Sequence, residues 1–199
     1  MTERPEKRPK LIESPSTLAL AATLPQLIVF DLDACLWDPE LYQLGDPDSP
    51  FDFDSDRNVA IAASGEEVHL LGDVPAIFEE LLNQNQWRGT KVAVASCCAQ
   101  SQSAEWLLGS FQCANGQCSL ADTISYIEIR CSGKQVHFRN LHQASGVPFE
   151  RMLFFDDQAG NCREVAELGV VTHRTPFGLT REAWDMGLKR FAVTAVSGG

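Results

Sequence analysis

The chain has 199 residues, 44% of them hydrophobic, which suits one domain of ordinary size with a sizeable core. Its 16 Lys and Arg against 27 Asp and Glu leave a net charge of −11, which argues against nucleic acid, whose phosphates need a basic surplus, and against an anionic membrane surface. No stretch approaches the ~20 apolar residues of a membrane span.

Residues 1–24 read as a flexible N-terminal tail, charged at first and then rich in small residues. The polar opening Met1–Lys10 is not followed by a compact apolar run and a cleavage site, so a cytoplasmic, or also nuclear, location is expected. The seven cysteines would then stay reduced. Their spacings do not form a zinc site, and His137 and His142, at i and i+5, do not share a helix face.

After Gln26, Leu27-Ile28-Val29-Phe30 is a continuous apolar run, the pattern of a strand buried on both faces, and it stops at Asp31-Leu32-Asp33. Residues 38–70 are acidic and turn-rich, too long for a plain connector, and are expected to form a flap over a site. Within it, Val59 and Ile61 could pair with Val68 and Leu70 as a small hairpin. Asp73 is placed to cap a helix with Pro75 in its first turn and Ile77, Phe78, Leu81 and Leu82 on its apolar face.

A second buried strand, Val92–Ala95, ends at Ser96, with a helix over 101–108. Tyr126–Ile129 is a short strand candidate, and Lys134–Ala144 reads as a helix stopped by Gly146-Val147-Pro148. A third buried strand, Met152–Phe155, ends at Asp156-Asp157. A helix over 161–168 follows, closed by Gly169, then a last strand from Val170 and a final helix capped by Thr180. This alternation predicts a Rossmann-like α/β/α sandwich with a mainly parallel sheet over 25–191, a short C-terminal tail over 192–199, and a flap in place of a large cap domain. Ligands of such sheets bind beyond the carboxyl ends of the strands.

Those ends carry the chemistry. Asp31 and Asp33, two residues apart, would face one crevice if strand alternation persists, and two carboxylates there need a cation, a proton or a lysine between them. Asp156 and Asp157 add two more carboxylates, an oxygen-rich set that suits Mg²⁺; the alternative for either pair is helix capping. Ser96 with the amides after it could hold a phosphoryl oxygen or serve as a plain N-cap. Lys134 at a helix N-terminus opposes the helix dipole, which makes sense if it pairs with Asp31 or a phosphate; otherwise it is a solvated surface lysine.

Taken in order, Asp31-Leu32-Asp33-Ala34-Cys35-Leu36, Ser96, Lys134 and Phe154-Phe155-Asp156-Asp157 resemble the four motifs of the haloacid dehalogenase superfamily. Leu36-Trp37, Ser132-Gly133-Lys134, His137-Phe138 and Gly146-Val147-Pro148-Phe149 bring the likeness closer to its magnesium-dependent phosphatases, over roughly residues 24–191. The resemblance implies a Mg²⁺-dependent phosphomonoester hydrolase acting on a phosphorylated small molecule or phosphopeptide, with phosphotyrosine and sugar or fructosamine phosphates both open.

It further implies Asp31 as nucleophile forming an aspartyl-phosphate, Asp33 as general acid and base, and Asp31, the Asp33 carbonyl and Asp157 as metal ligands. Ser96 and Lys134 would bind the phosphoryl group, and Asp156 would orient Lys134. Two departures stand out: Cys35 where the family usually has Thr, and Cys97 where a substrate-clamping Arg usually follows the serine. Competing readings are a phosphoserine protein phosphatase of the polymerase-tail type and a non-catalytic phosphoacceptor or binding module. A receiver, however, places its acidic pair before the phosphorylated aspartate, the reverse of the order here.

Overall fold

A computed structural model of the chain describes residues 24–44 and 50–197. Residues 1–23 of the expected N-terminal tail, 45–49 of the flap and 198–199 of the expected C-terminal tail lie outside the described residues.

Three apolar runs form the centre of a parallel sheet. β1 (Leu27–Phe30) lies between β6 (Lys91–Ser96) and β8 (Met152–Asp156), with β7 (Tyr126–Ile129) and β9 (Val171–Arg174) at the edges, giving the order β7-β6-β1-β8-β9. All pairings are parallel, with Phe30 opposite Val94 on one side and Phe155 on the other. Every residue of β1 and β8 is buried, as a strand covered on both faces requires. The register brings the ends of β1, β6 and β8 level, so Asp31, Ser96 and Asp156 emerge side by side.

The helices are α1 (Val74–Asn83), α2 (Ser101–Ser110), α3 (Lys134–Ser145), α4 (Ala159–Ala166) and α5 (Arg181–Ser197). On one face Ile28, Phe30, Leu153 and Phe155 pack with Phe78 of α1 and Trp184 of α5. Phe30 and Phe155 stack at 5.5 Å and Phe155 and Trp184 at 5.6 Å, contacts worth ~0.5–1.5 kcal/mol each beyond their area. A Cβ at Gly187 would stand 2.5 Å from the Phe155 ring, so a glycine is what lets α5 come this close. On the other face Leu27, Val29, Ala93 and Phe154 pack with Phe138 of α3 and Val165 of α4.

Several boundaries differ from expectation. The hairpin of β4 (Val59–Ile61) and β5 (Glu67–Leu70) forms, and it belongs to a four-stranded antiparallel sheet that also holds β2 (Trp37–Asp38) and β3 (Asp52–Asp54). Asp73 does not cap its own helix by its side chain; its Oδ2 accepts the Arg181 N–H at 2.6 Å and so caps α5, joined there by the Thr180 hydroxyl, which accepts from Ala183 N–H. α5 itself runs to Ser197, past the boundary placed at 191, because Phe191 is buried and Ala195 packs on the core. Leu24, counted with the tail, also packs on the core. α2 begins at Ser101, so residues 97–100 separate Ser96 from the helix it was expected to open. No helix of the described residues is long and apolar enough to cross a membrane.

Candidate active site

Asp31 continues the β1 ladder, its N–H donating to Phe155 O at 2.9 Å. The chain then turns tightly: Leu36 N–H donates to Leu32 O at 2.7 Å and Ala34 N–H to Trp37 O at 2.8 Å. Ala34 has φ 57°, a left-handed conformation that a residue with a Cβ adopts at a cost, and such strain is held where the surroundings dictate the backbone. Here the turn returns Asp33 toward Asp31. Trp37 Nε1 donates to Asp33 Oδ1 at 2.8 Å and the Leu41 N–H reaches the same oxygen at 3.2 Å. Asp33 thereby ties the catalytic end of the parallel sheet to the antiparallel one.

Lys134 is 3% exposed. Its Nζ lies 2.7 Å from Asp31 Oδ1, 3.1 Å from Asp156 Oδ2 and 2.6 Å from the Ala95 carbonyl. The surface-lysine alternative is thus ruled out, and the unfavourable helix position is offset by two carboxylates. Burial alone would lower the Lys134 pKa, but Asp31 and Asp156 outweigh it and raise it, so the ammonium is kept. Burial raises both Asp31 and Asp156 above the usual aspartate range, against the opposing pull of Lys134.

The two members of the second acidic pair differ. Asp156 is fully buried and well supplied with donors: Gln158 N–H at 2.7 Å, Asn161 Nδ2 at 3.1 and 3.0 Å, and Lys134. The capping alternative is therefore partly realised at Asp156. Asp157 Oδ1 is buried and has no hydrogen-bond partner, a costly state for a carboxylate oxygen unless something positive meets it. Among the described residues one group of three metal-competent side chains gathers, Asp31, Asp156 and Asp157, with ligand atoms all within 4.8 Å. Asp156 is the most fully engaged by donors, and Asp31 and Asp157 could hold a cation; an all-oxygen donor set suits Mg²⁺.

A cavity of about 300 Å³ reaches this cluster at Asp31 and is lined by Asp31, Asp33, Ser96, Cys97 and Lys134 together with Glu40, Tyr42, Gln158 and Asn161; Asp156 and Asp157 are not among its lining residues. Ser96 is buried and Cys97 exposed on the wall, so Cys97 faces the cavity. Because α2 starts at Ser101, Ser96 is not its N-cap. Cys35, by contrast, is fully buried; its thiol donates to Phe155 O and accepts from the Thr175 hydroxyl, away from the cavity. Gln158 and Asn161 follow Asp156-Asp157 at the start of α4, a proximity the sequence could have shown. Nothing in the sequence pointed to Glu40 and Tyr42, which reach the cavity only because the flap folds back. Burial raises Asp33 above the usual aspartate range despite its two donors.

The acid phosphatase family profile matches residues 23–194. The chain belongs to this family. Human magnesium-dependent phosphatase 1 is 35% identical over 171 residues, 86% of this chain and 89% of that protein. A HAD-like hydrolase superfamily protein of Schizosaccharomyces pombe is 32% identical over 148 residues, 73% of this chain and 83% of that protein. Among solved structures, the N-terminal part of a Bacteroides fragilis protein containing a phosphatase domain, complexed with Mg, has a TM-score of 0.54 at 20% identity. That match covers 85% of this chain and 40% of the other. A HAD-superfamily hydrolase from Ehrlichia chaffeensis has a TM-score of 0.52 at 13% identity, over 87% and 98% of the two chains. These structural likenesses bear on the fold: an α/β sandwich with a small extra antiparallel sheet.

Proposed function

We propose that this phosphatase uses Mg²⁺, held by Asp31, Asp157 and the backbone carbonyl of Asp33, to hydrolyse phosphomonoesters through a covalent phosphoryl-Asp31 intermediate. The observation that carries the reading is the contrast within one cluster. Lys134 holds Asp31 and Asp156 in place, while the buried Asp157 Oδ1 beside them has no partner in the protein. When bound, Mg²⁺ screens the repulsion between the carboxylate and the phosphate dianion.

The chain's own groups do the rest. Lys134 engages Asp31 Oδ1, which leaves the second oxygen to attack phosphorus. As that P–O bond forms and the bond to the alcohol breaks, Asp33 gives its proton to the leaving oxygen. Trp37 and Leu41 both engage Asp33 Oδ1, so the proton belongs on Oδ2, and the raised pKa favours its presence there. In the second half, Asp33 takes a proton from water, the water oxygen bonds to phosphorus, and Asp31 leaves as the carboxylate. Ser96 and Lys134 bind the phosphoryl oxygens, and Asp156 keeps Lys134 aimed. A 300 Å³ cavity accommodates a phosphate with a small alcohol or an aryl group, which fits sugar phosphates and phosphotyrosine alike.

Turnover of an aryl phosphate with Mg²⁺, its loss in chelator, its return on adding Mg²⁺ and its poor recovery with Ca²⁺ test the metal. Trapping experiments test the aspartates. Asp31→Asn should give no acyl-phosphate, whereas Asp33→Asn should form one from an activated ester and hydrolyse it ~10²-fold more slowly. Full activity in excess chelator, or unimpaired turnover in both variants, would overturn the proposal.

A further inference from the structure

The charges around the cavity are unequal. Asp31, Asp33 and Glu40 line it, and Lys134 is the single lysine or arginine among its described lining residues. Lys134 already lies between Asp31 and Asp156. Arg174 is nearby, but its Nε donates to the Asp157 carbonyl at 2.8 Å and it does not line the cavity. Tyr42, Ser96, Cys97, Gln158 and Asn161 complete the wall without fixed charge.

Glu40 differs from the other carboxylates in having no place in the hydrolytic chemistry. It precedes the 3₁₀ turn Leu41–Gln43, and the next residue's N–H is bonded to Asp33 Oδ1, so its backbone is tethered beside the acid–base group. Burial, then the charges of Asp33, Asp157, Asp31 and Asp38, raises its carboxyl pKa. With the phosphoryl group at Asp31, the alcohol occupies the rest of the cavity, whose wall includes Glu40 and the exposed Tyr42.

We infer that Glu40 selects substrates by charge, admitting phosphomonoesters with a neutral or cationic alcohol and disfavouring those with a second anionic group beside the scissile phosphate. The inference rests on the phosphatase reading above. A carboxylate in a partly enclosed, weakly screened cleft acts on a fixed charge a few ångströms away far more strongly than one in open solvent. Bisphosphates, phosphorylated acids and acidic phosphopeptides fall in the disfavoured class.

The test is kcat/KM in excess Mg²⁺ for phenyl phosphate and its aminomethyl and carboxylate derivatives, with the native protein, Glu40→Gln and Glu40→Lys. The cation-to-anion ratio is compared across variants, so differences in leaving-group reactivity cancel. Glu40→Gln should shift that ratio toward the carboxylate ester by about 5–10-fold, the scale of removing one charge in a partly solvated cleft. Glu40→Lys should shift it further, and high salt should compress the ratio in the native protein. Ratios that agree within about twofold in all three proteins would overturn the inference while leaving the phosphatase reading intact. No hydrolysis of phenyl phosphate by the native protein would overturn both.

Discussion

The two sheets of this molecule are built for different work. The parallel sheet places Asp31, Ser96 and Asp156 on strands whose residues are almost all buried, and a buried lysine locks the carboxylates together. The antiparallel sheet carries its ion pairs at the surface, the shortest joining Arg57 with Glu67 at 2.8 Å. Its approach segment brings Glu40 and Tyr42 to the cavity mouth. Reacting groups must be held to a fraction of an ångström, which packed strand ends provide. A group proposed to act on substrate by charge alone needs less exact placement, and Glu40 comes from a connecting segment. Asp33 joins the two, anchored by Trp37 and Leu41 while it lines the same cavity as Asp31.

If the parallel edge is the rigid part, the largest effect should come from breaking its lysine. Lys134→Met leaves two buried carboxylates without a cation and should cost about 3–5 kcal/mol of stability in denaturant melts without metal, besides abolishing turnover. The pH dependence has a definite sign. Asp31 and Asp156 already have folded-state pKa values raised above the unfolded value, and losing Lys134 raises them further. The folded variant then binds more protons than the unfolded chain above the unfolded aspartate pKa, so its stability should fall as pH rises through that window and recover in acid. A penalty that grew on acidification would contradict this account of the cluster.

Asp157→Asn should separate metal binding from folding at the same edge. Because Asp157 Oδ1 lacks a partner in the protein, the variant should melt no lower than the native protein in chelator. Its half-saturating Mg²⁺ concentration should rise about 10–100-fold, measured by activity and by calorimetric titration. A marked loss of stability without metal would place Asp157 with Asp156 as a structural carboxylate.

Cys97→Arg sharpens the comparison at the cavity wall. Cys97 is exposed and lines the cavity, so a longer side chain can reach the phosphate without entering the core. KM for small phosphates should fall with kcat roughly unchanged, up to the ~1.5–3 kcal/mol of a charge-assisted contact, and less in high salt. An unchanged KM with a lowered melting temperature would show that position 97 serves packing. The smallest effect belongs to the outer sheet: Arg57→Ala should leave the melting temperature and kcat/KM within error, because an exposed ion pair contributes little.

Much of this was legible in order along the chain. The apolar runs at 27–30, 92–95 and 152–155 mark doubly buried strands, because a strand covered on both faces has no polar positions to spare. An acidic residue straight after such a run sits at the carboxyl end of its strand, which made Asp31, Asp33, Asp156 and Asp157 the candidates. Lys134 was suggested by its discord with the helix dipole, and the ion pairs explain that discord. Local capping was less readable: Asp73 satisfies the start of α5, more than a hundred residues away, and a sequence window sees only its own helix.

The sequence by itself determined the strand ends and the residue types gathered there, since burial and periodicity are written into composition over a few residues. Tertiary structure alone decided which carboxylate keeps a buried oxygen without a protein partner, because Asp156 and Asp157 are identical neighbours until Asn161 and Lys134 are brought against one of them. It alone decided that Glu40 and Tyr42 face the site, since only the fold of the second sheet and the Asp33 hydrogen bonds bring that segment back over the first. Contacts set by long-range packing leave no local periodic trace.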